Sequence, residues 1–504
     1  MPLSADIPDD IWSHIAHFLP PKTLRNLYSV NRPLLDLALN ERYREIRIVS
    51  RKQFRNGIKY LQHLRDPNIS PRVRALVYNE GFSLSFPFPR NLTRDQIVGL
   101  CQQLDALLVE VVSTFSNVTS FDICASLPPS DGLPAFISKA WDTFGVGLQV
   151  LTINGFLGEL SRLLPSSTNL KSLHTLSLYL NSSTSDAPSK NREHMSGIVA
   201  PFLRGIFPTI RTLSITSSVA ADHSVLFEPM ERPSTLASLS LDMSFGRPSF
   251  ENLSGLVHFM NTNSTTLKHV ILKDSRDYTL LTGKSSVQLC LPNLETLEAE
   301  TEDFLRFLGQ PGLYLQASKD TLTTLILGQY YMSFQELTEL ATTLSHRATD
   351  RGLRSLYVCV DKLSPQVFDV LSETLIRLDD LTVIYSYKGI TANANNEGSM
   401  PHNFLMPEDQ SEVTEAFIAE MAKRTYLEWR LRSLSILDDP DEPGLGPEHM
   451  IILSALKRSI PSVVTDRESE YAERAEAKFD RQLQEYFGSV ITRSFGRLNS
   501  LDHN

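Results

Sequence analysis

His14 and His17 stand three residues apart in a stretch with helical periodicity, where two imidazoles share one face and can begin a metal site. A metal needs further donors. No other His, Cys or paired carboxylate follows at ligand spacing, so the two read as surface histidines on a binding helix. Glu298, Glu300, Glu302 and Asp303 carry the carboxylates that acid–base chemistry requires. They lie on and just after a strand-like segment and read as a solvated, charged edge. Gly145-Val146-Gly147 lacks the third glycine and the helix start of a dinucleotide-binding turn. The phosphate-cradling G-x-x-x-x-G-K, the G-x-S-x-G elbow and H-E-x-x-H do not occur. Cys101, Cys124, Cys290 and Cys359 are far apart, form no CxxC pair and read as reduced, buried thiols. The expectation is a protein that is not an enzyme, with no catalytic, cofactor-binding or metal site.

Composition narrows the partners. Of 504 residues, 41% are hydrophobic and 21% charged, ordinary values for a chain that is mostly folded. The formal charge of -10 argues against nucleic acid or an anionic membrane, since both reward clustered Lys and Arg. No run approaches the length of uninterrupted apolar sequence that a membrane span needs. Asp6, Asp9 and Asp10 give the start the wrong charge for a secretory signal. A cytoplasmic or nuclear protein is expected, with the sequons at Asn91 and Asn263 unused.

The elements that must position any functional residue begin in residues 7–48, which read as three short amphipathic helices divided by prolines. Pro8 suits the first helical position, and Asp9 and Asp10 suit the positive end of the helix dipole. Ile11, Ile15, Phe18 and Leu19 recur at spacings of three and four and form one stripe. Pro20 and Pro21 stop that helix; Leu24, Leu27, Tyr28 and Val30 carry a second, and Leu34, Leu35, Ala38 and Leu39 a third after Pro33. From Tyr43 to Val49 the pattern alternates toward a strand. So short a segment cannot bury this many apolar side chains within itself, so the surplus predicts an interface.

At these positions the sequence resembles the F-box, the adaptor-binding module of ubiquitin ligases of the Skp–cullin–F-box type. The resemblance rests on Ile7-Pro8, Ile11, Ile15, Phe18-Leu19-Pro20, Thr23-Leu24-Arg25-Asn26-Leu27, Val30, Arg32 and Leu35. Asn31 stands where the family often has cysteine, Pro33-Leu34 where it often has tryptophan, and the closing Leu-Trp is absent, with Arg42-Tyr43 nearby. The resemblance implies that Ile7, Pro8, Ile11, Ile15, Phe18, Leu19, Pro20, Leu24, Leu27, Val30 and Leu35 bind a Skp-family adaptor, and through it a cullin. The rest of the chain would then hold an unknown protein substrate for ubiquitination. The alternative is a leucine-rich-repeat scaffold or interaction protein that never joins a ligase, with the departures as its sign.

Behind this module an apolar residue followed by apolar ones three and five positions on recurs, the L-x-x-L-x-L core of a leucine-rich repeat. It occurs at Val118-Phe121-Ile123, Leu148-Leu151-Ile153, Leu173-Leu176-Leu178, Ile210-Leu213-Ile215, Leu236-Leu239-Leu241 and Leu267-Val270-Leu272. It continues at Leu294-Leu297-Ala299, Leu322-Leu325-Leu327, Leu353-Leu356-Val358, Leu378-Leu381-Val383 and Leu431-Leu434-Ile436. Most gaps are 25 to 37 residues, room for one strand and one helix. Helical periodicity fills several of them, over Phe156–Leu164, Phe334–Leu344 and Phe368–Leu378.

The predicted fold is therefore α/β: a three-helix F-box-like module, then a leucine-rich-repeat-like solenoid with a concave, mostly parallel sheet and convex helices. At roughly 4.8 Å per strand, ten or so coils make a sheet about 45 Å across. The divisions are residues 1–49 for the module, 50–115 for a connector and atypical first repeat, 116–440 for the solenoid and 441–504 for a helical cap. The connector holds helix-spaced Phe54, Ile58, Leu61 and Leu64, a first strand at Val73–Tyr78, an aromatic loop at Gly81–Pro89 and a helix through Leu104. Residues 385–412 read as a mobile polar insertion, and Tyr471, Ala475, Phe479, Leu483 and Phe487 as the stripe of a capping helix. Side chains between the strand leucines point away from the core. Tyr179, Asp242, Ile271, Lys273, Glu298, Glu300 and Tyr357 are the candidate target-binding residues on that concave face, alongside Ser177, Ser240 and Thr382.

Overall fold

The computed structural model describes residues 8–24, 26–27, 30–49, 54–79, 94–125, 133–165, 170–182, 188–219, 221–227, 235–245, 250, 253–273, 288–300, 302–309, 311–345, 352–385, 390, 407–438 and 447–463. They belong to two compact units, Met1–Gly309 and Gln310–Asn504. Ile7, the aromatic loop at Gly81–Pro89 and the capping helix around Phe479 lie outside the described residues.

The first unit opens with α1 (Asp9–His17). Pro8 is extended and serves as its N-cap rather than its first helical residue; the Pro8 carbonyl accepts from the Ile11 and Trp12 N–H groups at 3.1 and 3.3 Å. Asp9 and Asp10 in the first turn and His14 and His17 toward the end agree with the helix dipole. The Pro20-Pro21 pair ends α1 and is followed by one turn, α2 (Pro21–Leu24). In α3 (Arg32–Tyr43) the Leu34 N–H donates to Asn31 Oδ1 at 2.9 Å, and Pro33 sits in the first turn, where its missing N–H costs nothing. The third helix thus starts ahead of the proline, not after it.

Nine strands follow: β1 (Glu45–Val49), β2 (Ala75–Asn79), β3 (Ser120–Ala125), β4 (Val150–Phe156), β5 (Thr175–Asn181), β6 (Thr212–Ser217), β7 (Ser238–Asp242), β8 (His269–Lys273) and β9 (Thr296–Glu300). Each pairs in parallel with the next in sequence. Parallel neighbours need a crossover. Helices α4 (Phe54–Leu64), α5 (Arg94–Val112) and α6 (Leu133–Phe144) supply the first three. Between β4 and β5 the predicted helix is shorter: Phe156 ends the strand, and a 3-10 turn at Leu157–Glu159 leads into one helical turn at Leu160–Leu163. Pro165 follows closely and limits the helix.

The triplets explain the register. In each, the first apolar residue closes the loop, and the next two project inward from the strand because its side chains alternate. Every triplet residue read from the sequence is buried in the structure, so each triplet marks three core positions of its coil. The strand lead-ins lock together as well: the Arg74 and Ala75 N–H groups both donate to the Arg44 carbonyl at 2.9 Å, and the same fork recurs at Thr119 and Ser120 on Arg74. The ladder also begins before residue 116. Val73-Leu76-Tyr78 and Tyr43-Ile46-Ile48 keep the spacing and are buried, so α3 runs directly into the first strand of the sheet.

The second unit contains β10 (Thr324–Met332), β11 (Ser355–Val360), β12 (Asp380–Tyr385) and β13 (Ser433–Asp438), again parallel in sequence order. Helices Phe334–Thr343, Pro365–Thr374, Pro407–Met421 and Pro447–Ser459 alternate with or follow them. Ser333 caps the first of these, its hydroxyl accepting from the Glu336 N–H while the Glu336 carboxylate accepts from the Ser333 N–H at 2.9 Å. β10 bulges between Leu327 and Tyr331, with Gln329 at φ 59°. Within the insertion expected over 385–412, Tyr385 still belongs to β12, Ile390 bridges to Leu363, and a helix has begun by Pro407, whose fixed φ suits a first turn. No helix among the described residues is long and apolar enough to cross a membrane.

Candidate protein-binding surfaces

Helices α1 to α3 share a small core of Ala16, Leu24 and Leu34, against which Trp12, Leu19, Leu27 and Leu37 pack partly buried. What that core leaves outside is unusual. Ile11 is 46% exposed, Ile15 40%, Phe18 75% and Val30 49%. Ile11, Ile15 and Phe18 recur at helical spacing, so three large apolar side chains form one open stripe. Other exposed large apolar residues, such as Val146, Leu313 and Leu427, come singly along the chain, as they do on most proteins. Pro8 and Pro20 are also exposed, Leu35 is half-buried, and Leu24 serves the internal core. His14 is exposed and stacks edge-on against Phe18, with centroids 5.2 Å apart, which makes it part of this apolar face.

The module is fixed to the sheet at the end of α3. Tyr43 Oη and His63 Nε2 on α4 are 2.9 Å apart. Arg72, just before β2, donates to the Asp36 carboxylate at 2.9 Å, to the Asp36 carbonyl at 2.9 Å and to Asn40 Oδ1 at 2.5 Å. The stripe on α1 is therefore presented from an anchored element.

The outward face of the first unit's sheet brings most of the expected target-binding residues into two rows. Tyr179, Thr216, Asp242, Lys273 and Glu300 are register partners on successive strands. Ser177, Ser214, Ser240, Ile271 and Glu298 form the parallel row. Tyr179 is exposed and the others half-buried. Lys273 Nζ meets Glu298 at 2.6 Å and Glu300 at 3.9 Å. Burial alone would lower the Lys273 pKa, but the hydrogen bond to Glu298 and the charges of Glu300, Glu298 and Asp242 outweigh it and raise it. One ammonium among three carboxylates leaves this end of the face acidic. At the other end burial raises the Asp122 carboxyl pKa, against the opposing pull of Arg47.

Tyr357 lies in the second unit, in a row with Ile326, Thr382 and Ser435. The next outward row there is Tyr331, Cys359, Ile384 and Leu437, and Cys359 and Ile384 are buried. Alternation alone could not reveal that cover, because it assigns a side chain to a face and not to a neighbour.

The other candidate groups of the sequence lie apart among the described residues. Among the described residues, no group of three or more His, Cys, Asp or Glu lies together as a metal would require. Cys124 is half-buried, Cys290 exposed and Cys359 buried. Gly145–Gly147 is a 3-10 turn at the end of α6. The sequence reading missed one close serine–histidine pair, Ser217 Oγ and His223 Nε2 at 2.8 Å. Both residues are buried, and Ser217 Oγ also accepts from the Val219 N–H at 3.2 Å, so the pair ties a turn together rather than facing a substrate.

These observations define an α/β protein of parallel strand–helix repeats, consistent with a leucine-rich-repeat-like architecture. No family model matches the chain. No curated protein matches it either. Among solved structures, a crystal structure of a TLR13–ssRNA13 complex is similar over 69% of this chain and 58% of that one, with 15% identity and a TM-score of 0.26. The chain thus spans less than two thirds of that protein, and at this TM-score the architecture rests on strand register and burial alone.

Proposed function

We propose that the chain is a substrate receptor of a Skp–cullin–F-box type ubiquitin ligase. Helices α1 to α3 dock a Skp-family adaptor, and through it a cullin, while the outward sheet face holds the protein to be modified. The observation that carries this reading is the open stripe of Ile11, Ile15 and Phe18 beside exposed Val30, on a module whose own core is already formed by Ala16, Leu24 and Leu34. Asn31, a departure from the F-box pattern, has a local explanation as the cap of α3. The contribution to rate is proximity, bringing an acceptor lysine to a ubiquitin-charged enzyme supplied by the complex.

Co-expression with a Skp-family adaptor tests this. The wild-type chain co-elutes with the adaptor in a one-to-one peak; Ile15→Asp with Phe18→Asp abolishes the peak and leaves the thermal midpoint unchanged, since both side chains are exposed. Leu24→Asp is the wrong probe, because it would disrupt the internal core. A chain that stays apart from the adaptor is the non-ligase scaffold instead.

A further inference from the structure

A cavity of about 480 Å3 opens where the N-terminal helices meet the first two strands. Its floor is apolar, from Leu19, Leu24 and Leu37, and its rim is basic, from His17, Arg44 and Arg74. Arg44 and Arg74 hold equivalent places, each immediately before a strand, and the Arg74 N–H donates to the Arg44 carbonyl at 2.9 Å. Their backbones are therefore about one strand spacing, roughly 5 Å, apart. Both side chains are exposed, and among the described residues neither has a carboxylate partner; Arg74 Nη1 donates only weakly, to the Asn117 carbonyl at 3.3 Å. Arg72 lines the same cavity but differs, its charge already matched by Asp36. Glu41 is the acidic side chain among the lining residues, so positive charge prevails.

An exposed guanidinium group without a carboxylate partner can take one in the planar, two-pronged geometry that arginine favours, and here two such residues line one cavity. An apolar floor beside such a pair suits a carboxylate flanked by an apolar side chain, in a volume typical of ligand pockets. We propose that this cavity takes an acidic–apolar segment of the protein that the chain holds, with its carboxylates on Arg44 and Arg74 and its apolar side chain on Leu19, Leu24 and Leu37. This rests on the reading of the chain as a receptor for a second protein. At about 100° per residue, Ala16 and His17, which line the cavity, face away from Ile11 and Ile15 on α1. An adaptor on the open stripe therefore leaves the cavity accessible. Phosphates of a nucleic acid would find the rim but nothing to satisfy the floor.

The test is to pan a random peptide library against the full chain, then measure the enriched peptides on the wild type and on Arg44→Glu with Arg74→Glu. Enriched peptides carry Asp or Glu beside Leu, Ile or Phe, bind the double variant at least about tenfold more weakly, and regain affinity for it when their acidic residues are changed to Lys. That charge-swapped recovery also shows the variant to be folded. Enrichment of peptides without acidic residues, no enrichment, equal binding to the double variant, or rim-dependent binding only of a single-stranded RNA oligonucleotide would overturn the proposal. Adaptor co-elution of the double variant, measured alongside, stays at the wild-type level. Loss of adaptor binding by the wild type, with peptide binding intact, would instead remove the ligase reading and leave the cavity standing.

Discussion

The repeats and the helices in front of them are built from the same leucine-rich material and treat it differently. In the repeats every loop-closing and inward strand position is buried, so each coil's apolar surface is covered by its neighbours. In α1 to α3 a compact core of Ala16, Leu24 and Leu34 coexists with Ile11, Ile15 and Phe18 turned outward. Among the described residues the first arrangement is closed and the second is left open. An exposed apolar stripe on an anchored helix is the kind of feature that marks an interaction surface, and it is what the proposed docking rests on.

That contrast can be broken at its strongest point. Leu239→Ala removes a fully buried side chain from β7 and should cost about 2–5 kcal/mol, read as a lower denaturant midpoint with adaptor binding intact; a cost below roughly 0.5 kcal/mol would mean that the inward row is not a packed core. A smaller effect sharpens the other side. Asn31→Ala removes the side-chain cap of α3 and should cost about 1 kcal/mol, a loss carried by the helical module. An unchanged midpoint there would detach the module's stability from that of the sheet into which α3 leads.

Much of this contrast was legible in the sequence. The i, i+3, i+5 spacing located β3 to β13, because inward positions alternate and only apolar residues can occupy them. Tyr43-Ile46-Ile48 follows the same rule, and its alternation points to a strand, but its place beside the helices assigns it to their module; the triplet spacing is the signal that joins it to the repeats. The residues of the α1 stripe were legible too, though not the division of labour within the helices. The F-box resemblance grouped Leu24 with Ile15 and Phe18, and only packing separates the side chain used for folding from those left open. The cavity beneath Arg44 and Arg74 was hidden for another reason. Arg44 and Arg74 are thirty residues apart in sequence and become neighbours only through the parallel pairing of β1 with β2.

The most direct measurement is backbone hydrogen exchange of the full chain, resolved by peptide, with and without a Skp-family adaptor. Protection should rise across residues 9–43, most strongly in α1, and stay unchanged in β3 to β9. No added protection in α1, or protection confined to the strands, would contradict the claim that the open helical face is the docking surface.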